Sequence, residues 1–86
     1  MEIRLHRSFD KDYKKLKLSE KKKFKERRDI FLKDEFDLIL NNHLLKGKYQ
    51  GFRSIKITGD LRAVYKRINK DIVIFVAVDS HSNLYG

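Results

Sequence analysis

The order of apolar and polar residues divides the chain into a helical first half and a stranded second half. Ile3 and Leu5 alternate with charged residues, and this period of two predicts a short, half-buried strand. Phe9, Tyr13 and Leu16 follow at helical spacing, so they share one face of a first helix. The pattern therefore predicts a strand and then a helix at the N-terminus.

A second, longer helix is predicted to follow. Phe24, Phe31 and Leu32 would line its apolar side, while a lysine- and arginine-rich stretch would cover the other. The apolar pattern continues beyond these residues, and we expect the helix to end between Lys33 and Leu40.

Serines mark the expected starts of both helices. Serine is a preferred N-cap residue because its hydroxyl accepts a hydrogen bond from a free N–H of the first turn. Ser8 is the predicted cap of the first helix and Ser19 that of the second.

The second half predicts three consecutive antiparallel strands. The runs FRSIKI, LRAVYKRI and DIVIFVAV are separated by the turn TGD and by a turn at NK. A three-residue TGD loop would pair Ile55 with Ala63 on the core side and Lys56 with Arg62 on the other. The last run hardly alternates, which is typical of a central strand covered on both faces. We expect one α+β domain over residues 1–86: an N-terminal strand, two helices and an antiparallel three-stranded meander forming one small sheet.

The distribution of charge indicates a class of binding partner. The net charge is +9, and the stretch from Lys46 to Lys70 contains eight basic residues and the single acid Asp60. Such a cationic region attracts polyanions, so nucleic acid is the first partner to consider, before an acidic protein or an anionic membrane surface. The longest apolar run, IVIFVAV, is far shorter than the roughly 20 residues that span a bilayer, and there is no cysteine. We expect a cytoplasmic protein.

The candidate chemistry is proton transfer beside bound phosphate. The chain has three histidines but neither a metal-ligand spacing nor a glycine-rich phosphate loop, so we expect no metal and no cofactor. Cleavage of RNA without a metal needs a base for the 2′-hydroxyl, an acid for the leaving 5′ oxygen and cations around the phosphate. His43, Asp60 and His81 could transfer the protons. The charge would come from Lys46, Lys48, Arg53, Lys56, Arg62 and Lys66.

Each candidate also has a purely structural interpretation. His43 could be an ordinary loop residue, Asp60 a turn former and His81 the end of a strand. Tyr85 could anchor the terminus on the core or stack on a base. The basic face of the hairpin could simply be solvated, although the opposition of Lys56 and Arg62 favours an anion there.

A set of motifs connects these candidates to a known family. The segment NNHLLKGKYQGFRSIKITGDLRAVYK, followed by a hydrophobic strand and SHSNLYG, resembles the RelE superfamily of bacterial toxins, and most of all its YafQ branch. The resemblance implies a RelE-like microbial RNase fold and a ribosome-dependent mRNA endonuclease that inhibits translation. It implies an acidic cognate antitoxin as partner, with the ribosome and mRNA as targets. Operator DNA would be bound only through the antitoxin complex, and no membrane is involved.

The resemblance also implies roles for the site residues. His81 would be the general acid, Asp60 or His43 the base that activates the 2′-hydroxyl, and Tyr85 a stacking or positioning group. The products would be a 2′,3′-cyclic phosphate and a 5′-hydroxyl.

Three positions depart from the YafQ-like pattern. Lys56 stands where a second histidine is expected, Leu61 where a tryptophan is expected, and Ala77 where an arginine near the end of the last strand is expected. Arg62 resembles the phosphate-contacting arginine of RelE-type members and, with Lys56, could supply the missing charge. The alternative is a catalytically weakened RelE-like protein that acts as an antitoxin-binding or nucleic-acid-binding module.

Overall fold

The computed structural model describes residues 1–85, in which two helices pack on one face of a five-stranded sheet and a short third helix packs on the other. The first half contains β1 (Glu2–Leu5), α1 (Arg7–Lys14) and α2 (Leu18–Lys33). The second half contains β2 (His43–Leu44), β3 (Arg53–Lys56), β4 (Leu61–Asn69), β5 (Ile72–Ser80) and α3 (His81–Tyr85). Short 3₁₀ turns at Leu38–Leu40 and Gly47–Tyr49 flank β2.

The sheet has the strand order β1-β5-β4-β3-β2. β3, β4 and β5 form the predicted antiparallel meander, and Ile55 pairs with Ala63 and Lys56 with Arg62 as expected. β1 adds to it as a parallel edge strand beside β5, and β2 as a two-residue antiparallel edge beside β3. The α+β architecture predicted from the sequence is confirmed.

The hydrophobic core lies between the helices and the sheet face that we call the inner face. Phe9, Phe24 and Phe31 of the helices are buried against it. Their rings meet those of the strands edge-on: the Phe31 and Tyr65 ring centroids lie 4.9 Å apart, and the Phe24 and Phe75 centroids 5.7 Å apart. Burial of each phenylalanine contributes about 1.5–3 kcal/mol. The inner face consists of Ile55, Ile57, Leu61, Ala63, Tyr65, Val73, Phe75 and Val78.

The predicted N-cap of the first helix is wrong. The N-cap of α1 is His6, whose Nδ1 accepts a hydrogen bond from the Ser8 backbone N–H at 3.0 Å. The Ser8 hydroxyl instead donates to the Val76 carbonyl at 2.6 Å. β1 ends at Leu5 and leaves the rest of the β5 edge without a strand partner, so α1 side chains satisfy the exposed backbone groups.

The predicted start of the second helix is wrong too. The N-cap of α2 is Lys17, and the Glu20 carboxylate accepts its backbone N–H at 2.8 Å. A capping carboxylate three residues into the helix thus replaces the serine hydroxyl.

The second helix ends at the earliest predicted position, Lys33. The Asp34 carboxylate then accepts the Phe36 N–H at 3.0 Å, a local side-chain bond that competes with the helical ladder. Leu32, predicted on the apolar side, is 43% exposed in the last turn of the helix.

β5 is central within the sheet but unequally covered. It lies between β1 and β4, and Val73 and Phe75 are fully buried on the inner face. Ile74 and Val76 on the other face are only half-buried. The predicted coverage of both faces therefore holds only in part.

Candidate functional site

The sheet face turned away from α1 and α2, which we call the outer face, carries the polar strand positions. The strand pairs Arg62–Asp79, Val64–Ala77 and Ser54–His43 lie on it. Because side chains alternate along each strand, the cationic residues of the outer face lie beside its small residues. The outer face consists of His43, Ser54, Lys56, Arg62, Val64, Lys66, Ala77 and Asp79.

Arg62 and His43 are in direct contact on the outer face. The Arg62 side chain is almost buried, with 7% of its surface exposed, and its Nε donates to the Ser54 hydroxyl at 2.9 Å. Its Nη2 donates to the Asn41 carbonyl at 2.8 Å and lies 3.3 Å from His43 Nδ1. The sequence predicted a surface cation at this position, but the side chain is enclosed by polar backbone and side-chain groups.

The charge repulsion expected between Lys56 and Arg62 is reduced by the surroundings of the two side chains. The two residues pair directly, as the hairpin register predicted. Arg62 turns its guanidinium to the Asn41 and Ser54 carbonyl oxygens, while Lys56 remains exposed to water. Carbonyl dipoles and solvent thus reduce the repulsion, and the pairing alone no longer requires an anion.

A second group of candidate residues lies where the β4–β5 ladder ends. Leu61 pairs with Ser80, and the next backbone bond joins the His81 N–H to the Asp60 carbonyl at 2.9 Å. His81 opens α3, and its ring lies 4.7 Å from that of Tyr85 in an edge-to-face arrangement. Asp60, His81 and Tyr85 are exposed, so solvent reaches all three side chains.

α3 is held on the outer face by an apolar anchor. Leu84 is buried against Leu45, Val64 and Ala77. Ala77 is buried in this cluster, so the position at which the resemblance expects an arginine contributes packing in this chain. The short side chain leaves room for Leu84.

Four lysines supply exposed charge around this anchor. Lys46 and Lys48 line a cleft of about 310 Å³ together with Tyr85. The Lys48 ammonium lies 5.3 Å from the centroid of the Tyr49 ring, and the Lys66 ammonium 5.5 Å from that of the Phe52 ring. These cation–π contacts restrict the motion of the lysine ammonium groups without neutralising their charge. Lys56 is exposed on the adjacent strand.

Arg53 lies apart from the other cations. It pairs with Tyr65, so it belongs to the inner side of the sheet. Its Nε donates to the Asn42 side-chain oxygen at 2.8 Å, and its guanidinium lies 5.1 Å from the Phe36 ring centroid. Its role as an RNA ligand stays a prediction, and the contacts observed are structural.

The candidates form two groups on one molecule. His43 and Arg62 make one group, and Asp60, His81 and Tyr85 make the other. Strands β3 and β4 separate the strand of His43 from β5, which corresponds to roughly 14 Å between strand axes at about 4.8 Å per step. Arg62 extends across part of this distance, since it pairs with Asp79 of β5 and contacts His43 of β2.

The backbone before His43 is fixed by residues that the sequence did not single out. The Asn42 amide donates to the Tyr65 hydroxyl at 2.8 Å and to the Glu35 carbonyl at 3.1 Å. The Tyr65 hydroxyl donates to the Glu35 carboxylate at 2.5 Å, and Arg67 pairs with the same carboxylate. Burial, together with this hydrogen bond, raises the pKa of Tyr65 well above its usual range. Only the asparagine pair at 41–42 was visible in the sequence, where it indicated a loop.

Acidic residues not predicted from the sequence lie near Asp60. A cleft of about 240 Å³ is lined by Asp12, Lys15, Asp60 and Asp79 among others. The Asp12 carboxylate accepts the Val78 N–H at 3.1 Å, which completes the β5 edge. Within residues 1–85, no group of three or more acidic or histidine side chains is arranged to hold a metal ion.

Several solved structures share this architecture, among them YafQ and a YoeB/ParE toxin. YafQ from E. coli strain BL21(DE3) is 23% identical with a TM-score of 0.75, over 99% of this chain and 98% of that chain. A YoeB/ParE toxin from Agrobacterium tumefaciens is 20% identical with a TM-score of 0.77, over 94% and 99%. YafQ in the E. coli DinJ–YafQ complex is 23% identical with a TM-score of 0.74, over 99% and 98%. These likenesses establish a RelE-like toxin fold.

The family follows from the sequence itself. Residues 1–86 match the family described as bacterial toxin of type II toxin-antitoxin system, YafQ. The chain therefore belongs to the YafQ family of type II toxins. No curated protein matches it significantly. In the part of the chain described, no helix is long and apolar enough to span a membrane.

Proposed function

We propose that this toxin is a ribosome-dependent endoribonuclease that cleaves mRNA without a metal and so inhibits translation. The observation that carries the proposal is that histidines lie near exposed lysines, His43 on the outer face and His81 beside Asp60 at the end of the β4–β5 ladder. Such a surface offers proton transfer and phosphate binding together, which is what transesterification of RNA requires.

The proposed reaction has one associative step. The 2′-oxygen attacks the adjacent phosphorus as Asp60 or His43 takes the 2′-hydroxyl proton. The bond from phosphorus to the 5′ oxygen breaks, and His81 donates a proton to that oxygen. The products are a 2′,3′-cyclic phosphate and a 5′-hydroxyl.

Tyr85 and the lysines would orient the substrate. The edge-to-face contact of Tyr85 with His81 leaves a partly exposed ring beside the proposed acid, a suitable position for stacking on a base. Lys46, Lys48 and Lys66 would contact phosphates, and Lys56 would balance the charge of the transition state. No cofactor is part of the proposal.

The proposed partners are an acidic cognate antitoxin, the ribosome and mRNA. The antitoxin is supported by the E. coli DinJ–YafQ complex and by the +9 charge of this chain. Operator DNA would be contacted only through the antitoxin complex, and the proposed compartment is the cytoplasm.

The first prediction tests His81 against His6, the histidine at the N-cap of α1. His81→Asn removes the proposed proton donor, so we expect ribosome-stimulated cleavage to fall about 100-fold or more. His6→Asn is the matched control, because asparagine also caps a helix and His6 belongs to the α1 cap. Both variants are induced without antitoxin, and mRNA 5′ ends are mapped on ribosomes. Equal cleavage by the wild type and His81→Asn would refute the proposed acid.

One observation favours the alternative of a catalytically weakened binding module. Ala77 is buried in an apolar cluster, so no cation occupies the position of the expected arginine. That alternative predicts no growth arrest when the wild-type chain is expressed alone, with antitoxin binding retained.

A further inference from the structure

A cleft beside α3 contains a tyrosine that the proposed reaction does not use. The cleft has a volume of about 310 Å³ and lies between the 3₁₀ turn at Gly47–Tyr49 and the end of α3. Tyr49 lines it from the turn, Tyr85 lines it from the helix, and the buried Leu84 adds an apolar wall. Its volume is at the lower end of the roughly 300–1,000 Å³ that is typical of binding sites for small organic groups.

We propose that this cleft binds one unpaired nucleobase of the RNA substrate, with Tyr49 and Tyr85 as its aromatic walls and Lys46 and Lys48 as ligands of the adjoining phosphates. The inference rests on the proposed nuclease function and deepens it, because it requires the RNA to be a single strand with one base turned out of its stack. Tyr49 thereby becomes a substrate-binding residue beside Tyr85.

The ring of Tyr49 is held in place by the protein. It is half-buried, packs against the cluster that contains Leu84, and meets the Phe52 ring edge-on with 5.9 Å between the centroids. Because the side chain is already ordered, a base that stacks on it does not have to immobilise it. Every base has a π-face, so such a ring binds single strands without requiring a particular sequence.

The position of Lys48 shows that a face of the Tyr49 ring is accessible. The exposed Lys48 ammonium lies 5.3 Å from the ring centroid. An exposed cation–π contact is weaker than the stacking of a base on an aromatic ring, so a base can replace the ammonium there. The displaced ammonium is then available to a neighbouring phosphate.

The turn brings the lysines on both sides of Gly47 to the same cleft. Gly47 has a φ of 69°, in the left-handed region that glycine adopts without steric cost. It begins the 3₁₀ turn, and Lys46 and Lys48 both line the cleft. Two basic side chains thus border the position proposed for the base.

The residues of the cleft favour RNA over an acidic protein segment as its occupant. Carboxylates would pair with the lysines but would leave the tyrosine rings without a partner, whereas a nucleotide engages both. The Tyr85 ring also meets that of His81 edge-on at 4.7 Å, so the cleft adjoins the proposed acid. Burial raises the pKa of Tyr49, so its phenol stays uncharged and does not repel a phosphate.

The test compares two short, single-stranded oligonucleotides that differ only in their bases. Both carry 2′-O-methyl groups and so cannot be cleaved, and one is abasic throughout, which leaves every phosphate in place. Tyr49→Leu removes the aromatic wall but keeps an apolar side chain. We expect this substitution to weaken binding of the intact oligonucleotide about 5- to 100-fold and to leave binding of the abasic one unchanged.

Tyr13→Leu is the matched control. Tyr13 on α1 is also half-buried, and the Lys21 ammonium lies 5.6 Å from its ring centroid, but this tyrosine belongs to the helical layer. The control should bind both oligonucleotides as the wild type does. Unchanged binding of the intact oligonucleotide by Tyr49→Leu, the same loss for both oligonucleotides, or equal losses in the two variants would overturn the proposal.

A measurement on the wild-type chain covers the case in which Tyr49→Leu does not fold, as judged by urea denaturation. An oligonucleotide that contains the photoreactive base 4-thiouridine is crosslinked to the protein, and the attachment site is mapped by mass spectrometry. We expect crosslinks at Tyr49 and Tyr85, and crosslinks confined to other segments would reject the proposal. Neither measurement requires cleavage or ribosomes, so together they separate failure of this inference from failure of the proposed nuclease function.

Discussion

Tyr65 shows how a single polar atom connects the core with the site. Its ring is fully buried, and its hydroxyl joins Glu35 to Asn42, the residue before His43. Removal of the hydroxyl leaves the Glu35 carboxylate and the Asn42 amide each without one hydrogen-bond partner. We therefore expect Tyr65→Phe to lower the free energy of unfolding by about 1–3 kcal/mol, as measured by urea denaturation.

The raised pKa of Tyr65 gives this residue a pH signature. Burial raises the pKa in the folded state, so the unfolded phenol loses its proton first as the pH rises. The contribution of Tyr65 is therefore fully present below about pH 10 and is lost above it, by about 1.4 kcal/mol per pH unit. Relative to Tyr65→Phe, the wild type should lose stability more steeply between pH 10 and 11. Parallel curves for the two proteins would contradict this expectation, since lysine titration is common to both.

Among the elements, α3 depends most on tertiary contacts. A helix of five residues is not stable alone, and Leu84 is its buried anchor. Leu84→Ala should free the α3 residues His81 and Tyr85 from the sheet. If the cavity destabilises the whole fold, the substitution should lower the free energy of unfolding by about 2–5 kcal/mol. Limited proteolysis near the C-terminus should detect the release.

The control for the α3 prediction is Leu44→Ala. Leu44 is 59% exposed on the edge strand β2, so the same truncation removes little buried surface. Equal protease sensitivity of the two variants would show that Leu84 does not anchor α3.

The contact between α1 and the edge of β5 can be tested in the same way. Ser8→Ala deletes the bond to the Val76 carbonyl, and we expect a loss of about 1 kcal/mol in the free energy of unfolding. Ser19→Ala is the comparison, because Ser19 is exposed in α2 and alanine is the stronger helix former. If Ser19→Ala destabilises the protein as much as Ser8→Ala, the edge bond contributes nothing.

At the scale of the whole molecule, basic residues lie on both layers, but those of α1 and α2 are mixed with acidic residues. The exposed lysines around the α3 anchor lie opposite the helical layer, so RNA binding should depend on that side alone. Lys48→Gln and Lys66→Gln should each reduce the slope of log affinity against log salt by about 0.7 for a single-stranded RNA. Lys33→Gln, at the exposed end of α2, should leave it unchanged. A titration across salt concentrations with a non-cleavable oligonucleotide measures all three slopes, and equal reductions would indicate binding without a defined face.

The sequence by itself determined β1, the first two helices and the pairing of the meander, whereas β2 and α3 were not predicted. Periodicity is a local property, so the runs around Ile55 and Ala63 specified both strand and register. The motifs around His43 and His81 likewise indicated the family, because spacing within a segment is readable without a fold.

Only the tertiary structure decided how the polar side chains are used. Arg62 reaches the carbonyl of Asn41, 21 residues away, and Ser8 that of Val76, 68 residues away. Such bonds depend on which backbone groups the fold leaves unpaired at a sheet edge or a turn. Which backbone groups remain unpaired depends on where distant strands end, and the periodicity of a single segment does not contain this information.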